Sequence, residues 1–359
     1  MKKLSIFILA LCCLMLCACG DRLHSLSGKV VASGMTEEEN SYCILSTYEG
    51  KKTGIIITEE TRIYSVDQDI NIQTLKERGL VDTAVWAAGV KARDERLTHE
   101  GRKITAYEAS DIDIAGYLSE DTVTLPDGAK MNIWQYYDGV IYTAPNGTEL
   151  LSVRYPMGPD NSYVGEVESL DDLEEKVKSP VLEFYRQRGV LYDEMAELEK
   201  AYGAFVKAAD PANYRLRHIS QDVSPSASNE RVMCFITTVM LPLDGADPYG
   251  ANVHELRSGQ AFDKTTGEHI NSFDLFSCPP TEALRRMMDI AGVTDPALRE
   301  EMEQAFEPEC VILFPDNLEV CFNKGTLPSQ QHGYMLGLDY DDRLLEILHP
   351  WAVPFGSDK

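Results

Sequence analysis

His254 and His269 are the two histidines whose settings could serve a site. His254 ends the stretch Tyr249-Gly250-Ala251-Asn252-Val253-His254, after a Pro248-Tyr249-Gly250 turn, and His269 sits in Thr266-Gly267-Glu268-His269-Ile270. An imidazole there could bind a ligand or carry a proton near neutral pH. The two are expected close together across adjacent strands. Two ordinary polar surface residues are the alternative reading. Tyr249, Asn252, His254 and His269 are therefore the candidate ligand-binding residues. Catalytic spacing is otherwise missing. His254-Glu255 begins like a zincin but has no second histidine, and no HxxxH occurs. No GxSxG elbow is present. Lys52-Thr53-Gly54 repeats a triplet of penicillin-binding proteins, yet no SxxK supplies the nucleophile. Walker, GxGxxG and EF-hand loops are absent, and 58 acidic residues make any carboxylate pair uninformative. No catalytic residue, metal or cofactor is expected.

A cysteine group opens the chain: Cys12, Cys13, Cys17 and Cys19 in MKKLSIFILALCCLMLCACG. Cys17 and Cys19 are one residue apart with no second ligand pair nearby, which does not suit zinc. Neighbouring cysteines also seldom meet disulfide geometry. Lys2 and Lys3 precede an uncharged apolar run, Leu4 to Leu16. That run is shorter than the roughly 20 residues of a membrane-crossing helix and has the length of a secretory signal core. Leu16-Cys17-Ala18-Cys19 resembles the lipobox of bacterial lipoproteins. The resemblance implies a signal peptide over 1–18, diacylglycerol on Cys19, a tether over 19–27, and a place on the outer face of the cell membrane. An ordinary cleaved signal is the alternative.

The net charge is −25, and loss of Lys2 and Lys3 would deepen it by two. That argues against nucleic acid and anionic lipid as partners. A basic protein partner suits it, and so does plain solubility. Hydrophobic residues make up 44% of the chain, enough for a real core. Beyond Cys19 there are five widely spaced cysteines, Cys43, Cys234, Cys278, Cys310 and Cys321. An odd number cannot pair completely. Buried thiols are the default for those in apolar alternating runs, and a Cys310–Cys321 bridge across a hairpin stays open.

These residues must be positioned by two kinds of architecture. Over 28–116, GKVVASG, YCILSTY, TGIIIT and TRIYS alternate like strands. INIQTLKERGL then has helical apolar spacing, and VWAAGV and ITAYEASDIDI return to strand. That order is the order of an OB-type barrel, here acidic, and so read as a spacer or protein-binding barrel. Residues 117–145 read as a hairpin-bearing connector. Residues 168–209 are helical, with Ser169 as a cap, Asp171 and Asp172 in the first turn, and Pro180 opening a second helix. From Asn213 long strands dominate. NYRLRHISQDV and NERVMCFITTVML flank an SPSAS turn, and Lys264–Gly267 turns a hairpin. Helices are expected over 281–292 and 295–306, with a hairpin turning at Pro315-Asp316-Asn317. Strands beside separate helices make the class α+β, with a binding domain over 146–359.

Phe262-Asp263-Lys264-Thr265-Thr266-Gly267-Glu268-His269-Ile270 precedes Asp274-Leu275-Phe276. This order, F-D-x-x-T-G-x-x-I followed by D-L-F, resembles that of the extracytoplasmic domains of lysozyme-sensing anti-sigma factors and of proteins carrying peptidoglycan-deacetylase domains, and the resemblance runs from Arg231 onward. RYPMG (154–158) and the helical region resemble the companion segment. The G-G-A-H loop of that family is altered, with the histidine displaced to His254, and its P-Y-A-A-G step becomes Leu327–Gly333. The resemblance implies a non-enzymatic module recognising a cell-wall-associated or host-defence protein such as lysozyme. An enzyme acting on wall polymer and a scaffold lipoprotein are the alternatives.

Overall fold

A computed structural model describes residues 24–47, 50–65, 72–137, 139–155, 170, 173–208, 214–242 and 253–354. The signal, Cys19, Ser169, Asp171, Asp172, most of RYPMG, and Tyr249 to Asn252 lie outside the described residues. The chain is strand-rich with mixed parallel and antiparallel pairing, and it divides into two compact units after Tyr137.

The first unit comprises β1 (His24–Met35), β2 (Ser41–Ser46), β3 (Lys52–Ile57), β4 (Arg62–Ser65), α1 (Ile72–Arg78), β5 (Thr83–His99), β6 (Arg102–Glu108), β7 (Asp111–Thr124) and β8 (Lys130–Tyr136). β1 pairs with β2, β2 with β3, β3 with β6 in parallel, β6 with β5, and β5 again with β1. The circuit therefore returns to its first strand. β2 and β3 are apolar on both faces because both are covered. Cys43, Leu45, Ile55 and Ile57 pack with Leu75 and Leu80, while Ile44 and Ile56 pack with Leu97 and Ile104. The Lys52-Thr53-Gly54 triplet belongs to this packing: a Cβ on Gly54 would lie 2.6 Å from Leu97 Cδ1. ITAYEASDIDI is two strands rather than one. The break is held by Thr61 Oγ1, which donates to the Ala109 carbonyl at 2.8 Å, and by Arg62 N–H on the Ser110 carbonyl at 2.9 Å. β7 continues through residue 116 and pairs with β5, β4 and β8.

The second unit runs β9 (Gly139–Thr143), β10 (Glu149–Arg154), α2 (Glu175–Arg188), α3 (Glu194–Lys207), β11 (Arg217–Ser228), β12 (Val232–Pro242), β13 (Val253–Asp263), β14 (His269–Ile270), α4 (Pro280–Ile290), α5 (Pro296–Ala305), β15 (Val311–Leu313), β16 (Asn317–Phe322), β17 (Tyr334–Asp339) and α6 (Asp342–Leu345). β9 to β14 form one succession, antiparallel except at β10–β11, where α2 and α3 make the crossover. β15, β16 and β17 form a separate antiparallel sheet. Val177, Val181 and Tyr185 of α2 pack on Val223, Met233, Phe235 and Phe262 on one side of the larger sheet. On the other side Val232, Cys234 and Ala261 pack with α4, α5 and the three-stranded sheet.

Two expectations are corrected. Pro180 lies inside α2 and opens no new helix; the break comes at Gly189, and α3 starts after Asp193, whose carboxylate accepts from Ala196 N–H at 3.0 Å. A proline inside a helix forfeits one hydrogen bond, but the apolar face of α2 keeps its place on the sheet. SPSAS is not a turn either, for β11 runs through it to Ser228. β10 pairs with β11 only at Arg217–Ser220, so Pro225 lies where β11 has β12 on one side alone. An edge position tolerates the missing N–H. A bulge at Ser226 follows and reverses the alternation, so Val223 packs on the α2 side of the sheet and Ala227 on the side of α4 and α5. The turn proper is at Asn229, whose Oδ1 accepts from the N–H groups of Arg231 and Val232, each at 2.7 Å.

The five cysteines among the described residues, Cys310 and Cys321 included, are free thiols. Burial pushes Cys43 and Cys234 up to about 12, so they act as small apolar groups.

β13 touches β15 closely at Gly259, where a Cβ would stand 1.9 Å from the Val311 carbonyl oxygen. Gly259→Ala is expected to cost about 1–3 kcal/mol or more, because overlap in a packed interior forces backbone shifts. Urea unfolding of the variant beside the parent chain checks this.

Candidate functional site

The resemblance motif builds the hairpin between β13 and β14. Asp263 Oδ1 accepts from Thr265 N–H at 2.8 Å and Thr266 N–H at 3.1 Å, while the Asp263 carbonyl accepts from Gly267 N–H at 2.8 Å. Gly267 has φ +74°, and a Cβ there would fall 2.1 Å from the Val177 carbonyl of α2. The turn thus needs glycine twice, for its backbone and for its contact with the helix. Lys264 reaches back to the preceding hairpin, with Nζ on Ser228 Oγ at 3.0 Å and on the Asn229 carbonyl at 3.1 Å.

This docking places His269 on α2. Its ring stacks on Phe184 with centroids 4.4 Å apart and planes at 12°, and meets Phe262 edge-on at 5.4 Å. Covering one face of the imidazole lowers its pKa; Arg188 nearby lowers it further and Glu309 opposes. The rest of His269 is exposed.

Beneath it lies a polar chain through the interior. Arg188 forms a two-point ion pair with Glu309, at 2.7 and 2.6 Å. Arg188 Nη2 also donates to Ser258 Oγ at 2.8 Å, and Ser258 in turn donates to Glu309 at 3.0 Å. Gln260 Nε2 donates to Ser258 Oγ at 2.8 Å, while its Oε1 accepts from Thr237 Oγ1 at 2.9 Å and from Tyr185 Oη at 3.2 Å. Thr237, Gln260, Ser258 and Tyr185 are all buried. Each such group would cost about 1–3 kcal/mol if left without a partner, so the chain constrains how α2 sits on β12 and β13. Desolvation raises the pKa of Tyr185 far above the ordinary range, which keeps it a hydroxyl donor. The Ser258 hydroxyl is thus held between the Arg188 guanidinium and the Glu309 carboxylate, and it ties α2 to β13.

The two histidines are not brought together. His254 pairs with Leu241 near the start of β13, and His269 pairs with Phe262 near its end. Eight residues of strand put them roughly 26 Å apart. The cause is register: β12 and β13 pair without slippage from Val232–Asp263 to Pro242–Val253. Tyr249 and Asn252 lie outside the described residues. What sequence reasoning missed is the Arg188–Glu309 pair, whose members are 121 positions apart. No spacing signal links them. It also missed an exposed group in the first unit: Trp86, Tyr64 and Tyr137 around Asp113. Outward placement of Trp86 was readable from the alternation in VWAAGV.

No family model matches the sequence, and no curated protein matches it. Among solved structures the chain is similar to a member of the DUF3298 family from Bacteroides fragilis NCTC 9343, with TM-score 0.30 and 15% identity over 65% of this chain and 92% of that one. It is also similar to a DUF3298 family protein from Pseudomonas aeruginosa PAO1, with TM-score 0.27 and 16% identity over 57% of this chain and 86% of that one. Likeness of this size leaves function to be argued from the residues of this chain.

His269 has a depressed pKa in the folded state, so the unfolded chain takes up a proton first as pH falls. Stability is therefore expected to drop as pH goes below about 6.5. His269→Phe keeps the stack on Phe184 and removes the titration, so its unfolding midpoint should fall less between pH 7 and pH 5.5. Thermal melts of both proteins across that window check this. His218 is shifted the same way by desolvation and accounts for a residual slope.

Proposed function

We propose that the protein is an extracytoplasmic lipoprotein, held by lipid on Cys19, that binds a basic protein partner without chemistry of its own. Lysozyme is the partner class to test first. The observation that carries this reading is where the motif's polar groups go. Asp263, Gly267 and His269 are used to close a hairpin and seat it on α2. The motif defines a domain, and recognition is left to an outer surface in a chain of net charge −25. Complementary charge speeds and selects association more than it sets raw affinity.

The first unit fits the same role. Its circuit of five pairings, with the β3–β6 pair parallel and α1 between β4 and β5, supports the OB-like barrel expected from the sequence. A barrel without open edges is a suitable rigid platform outside the cell.

Calorimetry of lysozyme with the detergent-solubilised chain is the test. Binding is expected at low ionic strength and is expected to weaken as salt is raised past about 0.1 M, where charges more than roughly 10 Å apart are screened. No heat at low salt overturns the lysozyme version. Turnover of peptidoglycan fragments that His254→Ala abolishes would instead establish the wall-polymer enzyme. Separately, Cys19→Ser is expected to move the protein from the membrane to the soluble fraction of cells. Retention in the membrane would overturn the lipid anchor.

A further inference from the structure

The first unit carries an aromatic row that its own core does not use. On β5, Trp86 lies directly opposite Asp113 of β7, and Asp113 lies opposite Tyr64 of β4. Directly paired residues share a sheet face, so the three form one line across three strands. Trp86 is 45% exposed and Tyr64 54%. Tyr137, 47% exposed, donates its hydroxyl to Asp113 Oδ1 at 3.2 Å.

Three details make this more than scattered surface residues. Among the described residues no lysine or arginine pairs with the carboxylate of Asp113 at the centre, and Arg62 nearby is tied to Asp111 at 2.6 Å. Neither Trp86 nor Tyr64 stacks on another ring among the described residues, and about half of each side chain is exposed. Finally, two strand spacings separate Trp86 from Tyr64, roughly 10 Å at the backbone. Contact distances of about 3.5–4 Å on each side leave room for one planar group between them. Ala88, two residues along β5, is small and leaves the edge of the line low.

We propose that this row is a docking site for a basic protein segment, which seats an arginine or lysine side chain between Trp86 and Tyr64 with its charge on Asp113. Aromatic faces attract cations through their quadrupole, and a carboxylate adds the counter-charge. The first unit is net acidic, with 12 Lys and Arg against 19 Asp and Glu over 24–137, which favours a basic segment over an acidic one. The site rests on the reading of the protein as a receptor for a basic partner, and it names the surface that reading leaves unspecified.

The test uses the detergent-solubilised full chain and three probes at low salt: a fluorescent nona-arginine peptide followed by anisotropy, lysozyme, and chitotetraose as a neutral saccharide. Trp86→Ala and Asp113→Asn are each expected to weaken peptide binding about three- to fivefold, the scale of a cation–π or exposed charge contact. The double variant should lose more than either, and Tyr117→Ala, exposed but outside the row, should lose nothing. Unfolding midpoints confirm that each variant is folded, and Asp113→Asn stands as the test if Trp86→Ala is not. Equal peptide binding by parent and folded variants overturns the site while leaving the basic-partner reading intact. Loss of peptide binding with lysozyme binding unchanged supports the cation site and removes lysozyme as its occupant. Absence of binding to both basic probes overturns site and reading together. Chitotetraose binding that is lost with Trp86→Ala, without peptide binding, overturns the commitment to a cation.

Discussion

The second unit depends on a strand that offers different chemistry on its two faces. On one side of β13, Gly259 has no side chain, which lets the backbone of β15 come within contact distance. On the other side Ser258, Gln260 and Phe262 meet α2. A side chain at Gly259 would hold the three-stranded sheet away and open a gap over Cys234, Ala261 and their neighbours. Any shift of register would carry Ser258 and Gln260 onto the wrong face. The long unbroken pairing with β12 keeps that from happening.

The polar chain from Tyr185 to Glu309 follows from this constraint. Buried hydrogen bonds add modestly to stability when made and cost more when broken. Their effect is to favour one seating of the helix over its neighbours. The same is true of the hairpin turn at Asp263–Gly267, where the amides of Thr265 and Thr266 are satisfied by Asp263 and the glycine fits against Val177. Buried Glu197 and half-buried Glu194 also have partners. Glu197 lies between Lys200 and Arg217, and Glu194 accepts from the hydroxyls of Tyr142 and Tyr155. These ionisable groups are thus committed to the fold.

The first unit solves a different problem. Its strands β2 and β3 are apolar on both faces, which would aggregate if left open. Pairing β1 with both β2 and β5 leaves that circuit without a free edge. β4, β7 and β8 extend outward from it; one face across β5, β7 and β4 carries Trp86, Asp113 and Tyr64, with Tyr137 just past the end of β8.

Much of this could be read along the chain. Apolar strand-like runs between turn residues placed β2, β3, β12 and β16, and the helices expected over 281–292 and 295–306 are α4 and α5, because such signals act within a few residues. The hairpin at Lys264–Gly267 was readable for the same reason. Pro180 and SPSAS misled: local propensity favours a break there, but burial of Val177, Val181 and Tyr185 carries the helix through, and an edge position lets the strand absorb Pro225. The separation of His254 from His269, the Arg188–Glu309 pair and the Trp86–Asp113–Tyr64 row were decided only by tertiary structure. Each depends on which strands become neighbours and in what register, and that is set by long-range packing that no short stretch of sequence contains.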